Sequence, residues 1–148
     1  MSYKEKLIEV QEAIDLAAAE VKRNTKDISL VAVSKTQPIE KIEKLISLGH
    51  RVFGENRVQE AKTKWKPLKS KYDGLELHLI GALQTNKVKE AVALFDVIET
   101  VDRPKLAGIF APTQGLFRYV CGIHPAWWPQ YNAIHPVQAS ASTDYQHP

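Results

Sequence analysis

The chain has 148 residues, a length that favours one domain and is long enough to bury a hydrophobic core. Its hydrophobic content of 44%, its charged content of 25% and its formal net charge of +3 are ordinary for a soluble globular protein and do not indicate nucleic-acid or membrane binding. No apolar stretch approaches a membrane span, the N-terminus lacks the apolar core of a signal peptide, and the single Cys121 has no partner for an internal disulfide. These features predict a cytoplasmic protein.

Helical and strand-like patterns alternate along the first part of the chain. Apolar residues at helical spacing predict a helix over residues 3–23, and the β-branched run ISLVAV predicts a buried strand over residues 28–33. Pro38 and Gly49 are typical of the start and the end of a second helix. Further strands are predicted at 51–54, 75–80 and 95–101. Further helices are predicted from Asn56 onwards, where Pro67 is expected to end or kink the helix, and over residues 84–94.

The alternation of strands and helices indicates an α/β fold. It predicts a parallel sheet with right-handed crossovers, in either an open doubly wound sheet or a (β/α) barrel. No GxGxxG follows the first strand, which disfavours a dinucleotide-binding fold. In parallel βα folds, ligands bind at the carboxyl ends of the strands. The polar residues predicted at those ends are Lys35, Glu55, Asn56, His78, Asp102 and Arg103.

Lys35 is the most distinctive of these residues chemically. In a partly desolvated pocket its amine would lose proton affinity, and the neutral amine could attack an aldehyde such as that of pyridoxal phosphate to form an imine. The more common interpretation of a strand-end lysine is a side chain that extends to water. His78 taken alone is more often a hydrogen-bonded core histidine, and Asn56 could simply cap a helix.

Two other groups of residues invite a functional interpretation. The basic run KTKWKPLKSK, residues 62–71, could contact phosphates, but a solvated helix face is expected because acidic residues flank it and the net charge is low. Cys121, His124, His135 and His147 match no standard zinc spacing, so no metal site is predicted.

Four segments together resemble one known family. AVSKTQP, GHRVFGENRVQE, LHLIGALQTNKVK and VIETVDRPKLA occur in the order and spacing of the pyridoxal phosphate homeostasis proteins, also called the YggS/PROSC group. The resemblance covers residues 1–107, within which Leu77 stands where the family usually has Trp. It implies a (β/α) barrel of the alanine-racemase N-terminal type, truncated here to about its first four βα units.

The resemblance also implies a function. Pyridoxal 5′-phosphate would be held by a Schiff base, an imine, at Lys35, with Asn56 and His78 near the cofactor. The family is associated with buffering and delivery of the cofactor and with no established catalytic turnover. The implied partners are the cofactor and, transiently, apoenzymes that depend on it, with no membrane or nucleic acid. Two alternatives stay open: a racemase or decarboxylase-like enzyme on the same barrel, and a basic interaction module that uses residues 62–71 without a cofactor.

Residues 108–148 do not resemble the family. Their only charged residues are Arg118 and Asp144, and they contain five of the eight prolines. The two phosphate-binding segments of the family, similar to Ser-Met-Gly-Met-Ser and Arg-x-Gly-Thr, do not occur there, so weak affinity for the cofactor is expected. We expect this tail to be frameshifted or disordered, with a strand at 117–122. The aromatic residues expected to cover the open fourth strand are Phe117, Tyr119, Trp127 and Trp128.

Overall fold

The computed structural model describes residues 2–110 and 118–119, and a parallel sheet is its central feature. The five strands are β1 Ala32–Val33, β2 Val52–Glu55, β3 Glu76–Leu79, β4 Val97–Ile98 and β5 Arg118–Tyr119. They lie side by side in chain order, and every adjacent pair is parallel. Among the described residues the sheet is open, with β1 and β5 at its edges. The prediction of an α/β fold with a parallel sheet is therefore confirmed.

In the described residues, one α-helix precedes β1 and four occupy the connections between the strands. They are α1 Tyr3–Glu20, α2 Ile39–Ser47, α3 Val58–Lys71, α4 Val88–Leu94 and α5 Pro104–Phe110. Helix α1 begins with a capping box in which Ser2 and Glu5 bond to each other's backbone N–H groups. Helix α2 ends before Gly49, whose φ of +91° suits glycine, as the sequence predicted. No helix in the described part of the chain is long and apolar enough to cross a membrane.

The hydrophobic core lies between one face of the sheet and the helices. Phe53 of β2 and Trp65 of α3 are both fully buried, and their ring centroids are 5.0 Å apart. Because side chains alternate along a strand, Gly54 points to the opposite face, which we call the inner face. The strand register places Val33, Gly54 and His78 side by side on that inner face. The sheet therefore has one face that the helices cover and an inner face on which Val33, Gly54 and His78 lie.

Several elements differ from their predicted bounds; β4, for example, covers Val97–Ile98 rather than 95–101. Strand β1 covers two residues rather than the predicted 28–33: Ile28 still ends the 3₁₀ turn Thr25–Asp27 by donating its N–H to Thr25, and residues 29–31 are not part of the strand. Helix α3 does not end at Pro67 as one expectation held, but continues to Lys71. An interior proline costs about 3 kcal/mol. The buried residues Trp65 and Leu68 on either side of it provide packing that offsets this cost.

The end of the described chain contains a helix that the periodicity did not predict. Helix α5 extends from Pro104 to Phe110, across the expected boundary between residues 107 and 108. It buries Leu106 and Phe110. Residues 118–119 pair with β4 as β5, inside the predicted strand 117–122. Phe117, Trp127, Trp128 and the Cys121 and histidine set lie outside the described residues.

Candidate functional site

Lys35 lies in a tight turn directly after β1. The N–H of Gln37 donates to the carbonyl oxygen of Ser34 at 3.1 Å, which closes a four-residue turn around Lys35 and Thr36. Thr36, the third residue, has a φ of +60°, whereas Lys35 has a negative φ. This combination is that of a type II turn, in which glycine is usual at the third position. A β-branched threonine there is strained, so the conformation has to be supported by contacts from elsewhere.

Helix α3 supplies those contacts. The carboxylate of Glu60 accepts the backbone N–H of Thr36 at 2.6 Å. The ammonium of Lys64 donates to the carbonyl oxygen of Ser34 at 2.8 Å and to Glu60 Oε1 at 2.8 Å. The ammonium of Lys64 and, as a smaller contribution, the N–H of Thr36 lower the pKa of Glu60 from its usual value. The backbone on both sides of Lys35 is therefore bonded to the same helix.

Beneath the turn lies a buried carboxylate, that of Glu55 at the end of β2. Its Oε1 accepts from Ser34 Oγ at 2.7 Å and from Trp65 Nε1 at 3.1 Å, and lies 2.7 Å from Lys64 Nζ. Its Oε2 is buried without a hydrogen-bond partner in the described structure. Glu55 therefore faces the helices, beside Trp65, and its role is to anchor the turn from below.

His78 lies in the middle of the inner face, between two acidic side chains. Its Nδ1 is 2.6 Å from Glu99 Oε1, and its Nε2 is 2.8 Å from Glu76 Oε1. A neutral imidazole donates to only one of these carboxylates, whereas the imidazolium donates to both. The contacts fix the ring in place, and the side chain is largely buried. His78 is therefore a hydrogen-bonded histidine, as one of its two interpretations expected.

Asn56 follows β2 and is half-buried. Its backbone is approached closely by Gly81, which follows β3. A Cβ atom built on Gly81 would lie 2.7 Å from the Cα atom of Asn56, closer than real Cβ contacts allow. The glycine at position 81 thus lets two loops at the carboxyl edge of the sheet pack against each other and sets the position of Asn56.

The amine of Lys35 is available for chemistry. The residue is exposed, and its ammonium has no hydrogen bond or ion pair within residues 2–110 and 118–119. Ser34, next to it, directs its side chain toward Glu55 and the helices. Lys35 itself lies in the turn beyond the end of β1, and its exposed side chain extends from the carboxyl edge of the sheet. Lys35 and Asn56 thus follow adjacent strands at one edge of the sheet, and His78 lies one strand further along.

Asp102 and Arg103, the other residues expected at a strand end, form a local pair. Arg103 donates to Asp102 and, through Nη2, to the carbonyl oxygen of Leu83. This contact ties the loop after β4 to the loop after Gly81. The two residues stabilise the carboxyl edge of the sheet, and their charges satisfy each other.

The basic run on α3 is largely the solvated face that was expected, with Lys66 and Lys71 exposed, but one of its lysines is an exception. Lys64 is only 9% exposed, and it is the cation of the buried cluster with Glu55 and Glu60. The other ion pairs of the run are Lys62 with Glu90 at 3.1 Å, Lys69 with Asp96 at 2.6 Å and Lys71 with Glu43 at 2.8 Å. Most of its charge is therefore matched by acidic neighbours.

Sequence reasoning did not identify Glu60 and Lys64 as part of the site. The two residues are four apart on one helix, a spacing that places side chains together. That signal was present, but their contact with the turn around Lys35 depends on how α3 packs against β2. The signal for Glu55 was its position two residues after Phe53, which puts both on the face that the helices cover.

No family model matches the chain. A pyridoxal phosphate homeostasis protein of Pasteurella multocida is 40% identical over 107 residues, which are 72% of this chain and 46% of the relative. A protein of the same name from Escherichia coli is 41% identical over 102 residues, 68% of this chain and 44% of the relative. The chain thus spans about half the length of the curated relatives that it matches.

The structural comparison agrees with the sequence comparison. PipY of Synechococcus elongatus, in its structure with PLP bound, is 34% identical with a TM-score of 0.66, covering 84% of this chain and 66% of PipY. The fold and the turn define a class, parallel α/β proteins with a free lysine at the carboxyl edge of the sheet. The relatives supply the family: the predicted resemblance to the pyridoxal phosphate homeostasis proteins is confirmed for the part of the chain that they match.

Proposed function

We propose that this chain binds pyridoxal 5′-phosphate through a reversible covalent bond at Lys35 and serves cofactor homeostasis, buffering and delivering the cofactor. The observation that carries the proposal is the free amine of Lys35 on a supported turn at the carboxyl edge of a parallel sheet. Relatives named for pyridoxal phosphate homeostasis, and PipY with PLP bound, support the same conclusion.

The residues present fit the aldehyde of this cofactor. When bound, the cofactor would supply an aldehyde carbon, and Lys35 would supply the primary amine that condenses with it. Lys35 must first give its proton to solvent, and its exposure makes that transfer direct. Asn56 and His78 are proposed to contact the cofactor from the neighbouring strands. His78 would do so with its ring held by Glu76 and Glu99.

We further propose that the open sheet corresponds to the first units of a (β/α) barrel of the alanine-racemase N-terminal type. The TM-score of 0.66 to PipY, over 66% of that protein, supports this interpretation. On this proposal the inner face of the sheet is the barrel interior, and Lys35 lies at its mouth. Residues 108–148 as an unmatched tail, a cytoplasmic location and contacts with apoenzymes that accept the cofactor remain predictions.

The two alternative functions have less support from the structure. A racemase or decarboxylase needs a second acid/base group aimed at the substrate. His78, the titratable inner-face residue proposed beside the cofactor, has both ring nitrogens engaged by carboxylates. A basic interaction module needs unmatched positive charge, whereas most lysines of residues 62–71 have acidic partners. A binding protein without turnover is the function that we propose.

An absorbance titration with pyridoxal 5′-phosphate tests the proposal. The wild-type chain is expected to shift the cofactor's absorbance, and Lys35→Arg, which keeps the charge but not a condensing amine, should abolish the shift. Lys66→Arg is the matched control, because Lys66 is also exposed and has no side-chain partner in the described structure. An unchanged shift in Lys35→Arg would overturn the assignment. Incubation with amino acids then separates a carrier from an enzyme, since only an enzyme consumes them.

A further inference from the structure

We propose that Glu60 and Lys64 are positioning residues for Lys35: they hold the turn in the conformation that presents its amine at the carboxyl edge of the sheet. This inference rests on the proposed function and assigns that site two residues on a different element of the fold. Neither side chain is placed on the cofactor itself. Both act on the backbone that flanks Lys35.

The two residues bond to the turn at adjacent points. Lys64 Nζ donates to the carbonyl oxygen of Ser34, the residue before Lys35, and Glu60 Oε1 accepts from the N–H of Thr36, the residue after it. Because the peptide groups on both sides of Lys35 are held, rotation of either peptide breaks a short charge-assisted hydrogen bond. The Cα–Cβ direction of Lys35 is thereby fixed relative to α3.

Lys64 is itself fixed. Its ammonium donates hydrogen bonds to the carbonyl oxygen of Ser34 and to Glu60 Oε1, both at 2.8 Å, and forms an ion pair with Glu55 Oε1 at 2.7 Å. The side chain is 11% exposed. Glu55 is held in turn by Trp65 of the core. These contacts therefore connect Trp65 of the core, through Glu55 and Lys64, to the backbone of the turn.

The strain at Thr36 explains why the turn needs this support. A threonine at a φ of +60° is unfavourable, so an unsupported turn would relax toward negative φ and redirect the backbone around Lys35. Apparent affinity falls in proportion to the fraction of molecules in the competent conformation. Loss of the support is therefore expected to weaken the capture of an aldehyde at Lys35 without removing the amine.

Two variants at position 60 test the inference. Glu60→Ala removes the acceptor for the N–H of Thr36, whereas Glu60→Gln keeps an oxygen acceptor of nearly the same geometry. Lys62→Met is the matched control, because Lys62 lies on the same helix but pairs with Glu90, away from the turn. For each variant we would measure amide hydrogen exchange at Thr36, the acylation rate of the Lys35 amine relative to Lys66, and the apparent Kd for pyridoxal 5′-phosphate.

The expected result is selective. Glu60→Ala should speed exchange at Thr36, change the acylation rate of Lys35, and raise the apparent Kd about tenfold if the competent fraction falls to about one tenth. Glu60→Gln should restore most of each loss, and Lys62→Met should match the wild type. Urea unfolding checks that every variant is folded in the assay.

Two results would overturn the inference. One is an equal loss in Glu60→Ala and Glu60→Gln, which would mean that the acceptor is not what matters. The other is wild-type exchange and wild-type acylation in Glu60→Ala. If the wild-type chain does not bind the cofactor, the proposed function fails, but exchange at Thr36 and acylation of Lys35 still decide whether the turn is held as proposed.

Discussion

Lys64 Nζ lies 2.8 Å from the carbonyl oxygen of Ser34, so a lysine on α3 holds the residue that precedes Lys35. The contact joins two segments that are 30 residues apart in sequence. It also explains why one lysine of a basic run is buried: its charge is matched by Glu55 and Glu60. A side chain that composition would assign to the solvated surface is thus part of the core beneath the candidate site.

Removal of the Lys64 ammonium should destabilise the fold. In Lys64→Met the buried carboxylate of Glu55 loses its cation, and breaking a buried pair from one side costs about 3–5 kcal/mol. Urea denaturation would measure the change in the free energy of unfolding. The double variant Glu55→Gln with Lys64→Met removes the uncompensated charge as well, and should recover part of the loss.

The matched control for this experiment is Lys66→Met on the same helix. Lys66 is exposed, so the free energy of unfolding of the Lys66→Met variant should stay within about 0.5 kcal/mol of the wild-type value. A Lys64→Met protein as stable as Lys66→Met would show that the cluster with Glu55 contributes little to folding.

The stability of the protein should depend on pH in part through Glu60. Its pKa in the folded state is lowered from 4.5, first by Lys64 and then by the N–H of Thr36. A lowered folded-state pKa means that the unfolded chain binds the proton more readily. The contribution of Glu60 is therefore complete above about pH 4.5 and is lost as the pH falls through the lowered folded-state pKa.

Glu60→Gln should accordingly flatten the pH dependence of the unfolding free energy below about pH 4.5, because the variant has no carboxyl group at position 60 to take up a proton. Glu43 and Glu90 also have lowered pKa values, from their bonds to Lys71 and Lys87, so some acid sensitivity should persist. The informative quantity is the difference in slope between Glu60→Gln and wild type, with Glu40→Gln on the exposed side of α2 as the control. Parallel curves for all three proteins would contradict the assignment.

Two glycine substitutions should have opposite effects. In Gly81→Ala the new methyl group would collide with the backbone of Asn56, so we expect a loss of about 1–3 kcal/mol and displacement of Asn56. Gly108 in α5 has nothing within 4 Å of a built Cβ, so Gly108→Ala should stabilise the protein by up to about 1 kcal/mol through helix propensity. Thermal unfolding of both variants checks this, and a neutral Gly81→Ala would mean that the two loops are not in close contact.

The sequence predicted most of the architecture because its patterns are local. Apolar strands, helical stripes and the stop at Gly49 each depend on neighbouring residues, and their alternation predicted the parallel sheet. Pro67 does not end α3, for a tertiary reason: the burial of Trp65 and Leu68 keeps the helix intact past the proline. The pattern ISLVAV also does not show that Ile28 belongs to the end of a 3₁₀ turn rather than to β1.

The candidate site was predicted less completely. Lys35, Asn56 and His78 could be named because strand positions are readable from sequence; in the structure Lys35 follows β1, Asn56 follows β2 and His78 lies within β3, and their role at the site stays a prediction. The support from Glu60 and Lys64 could not be predicted from sequence, because it depends on the rotation of α3 against β2. The positive φ of Thr36 was equally hidden, since threonine is not a residue that indicates a left-handed turn.

The central claim is that Lys35 forms the covalent bond to the cofactor. The most direct measurement is reduction of the protein with borohydride in the presence of pyridoxal 5′-phosphate, followed by peptide mass mapping. The account predicts that the pyridoxyl mass is found on the peptide that contains Lys35 and is absent from that peptide in Lys35→Arg. A pyridoxyl group found mainly on other lysines, with Lys35 unmodified, would contradict it.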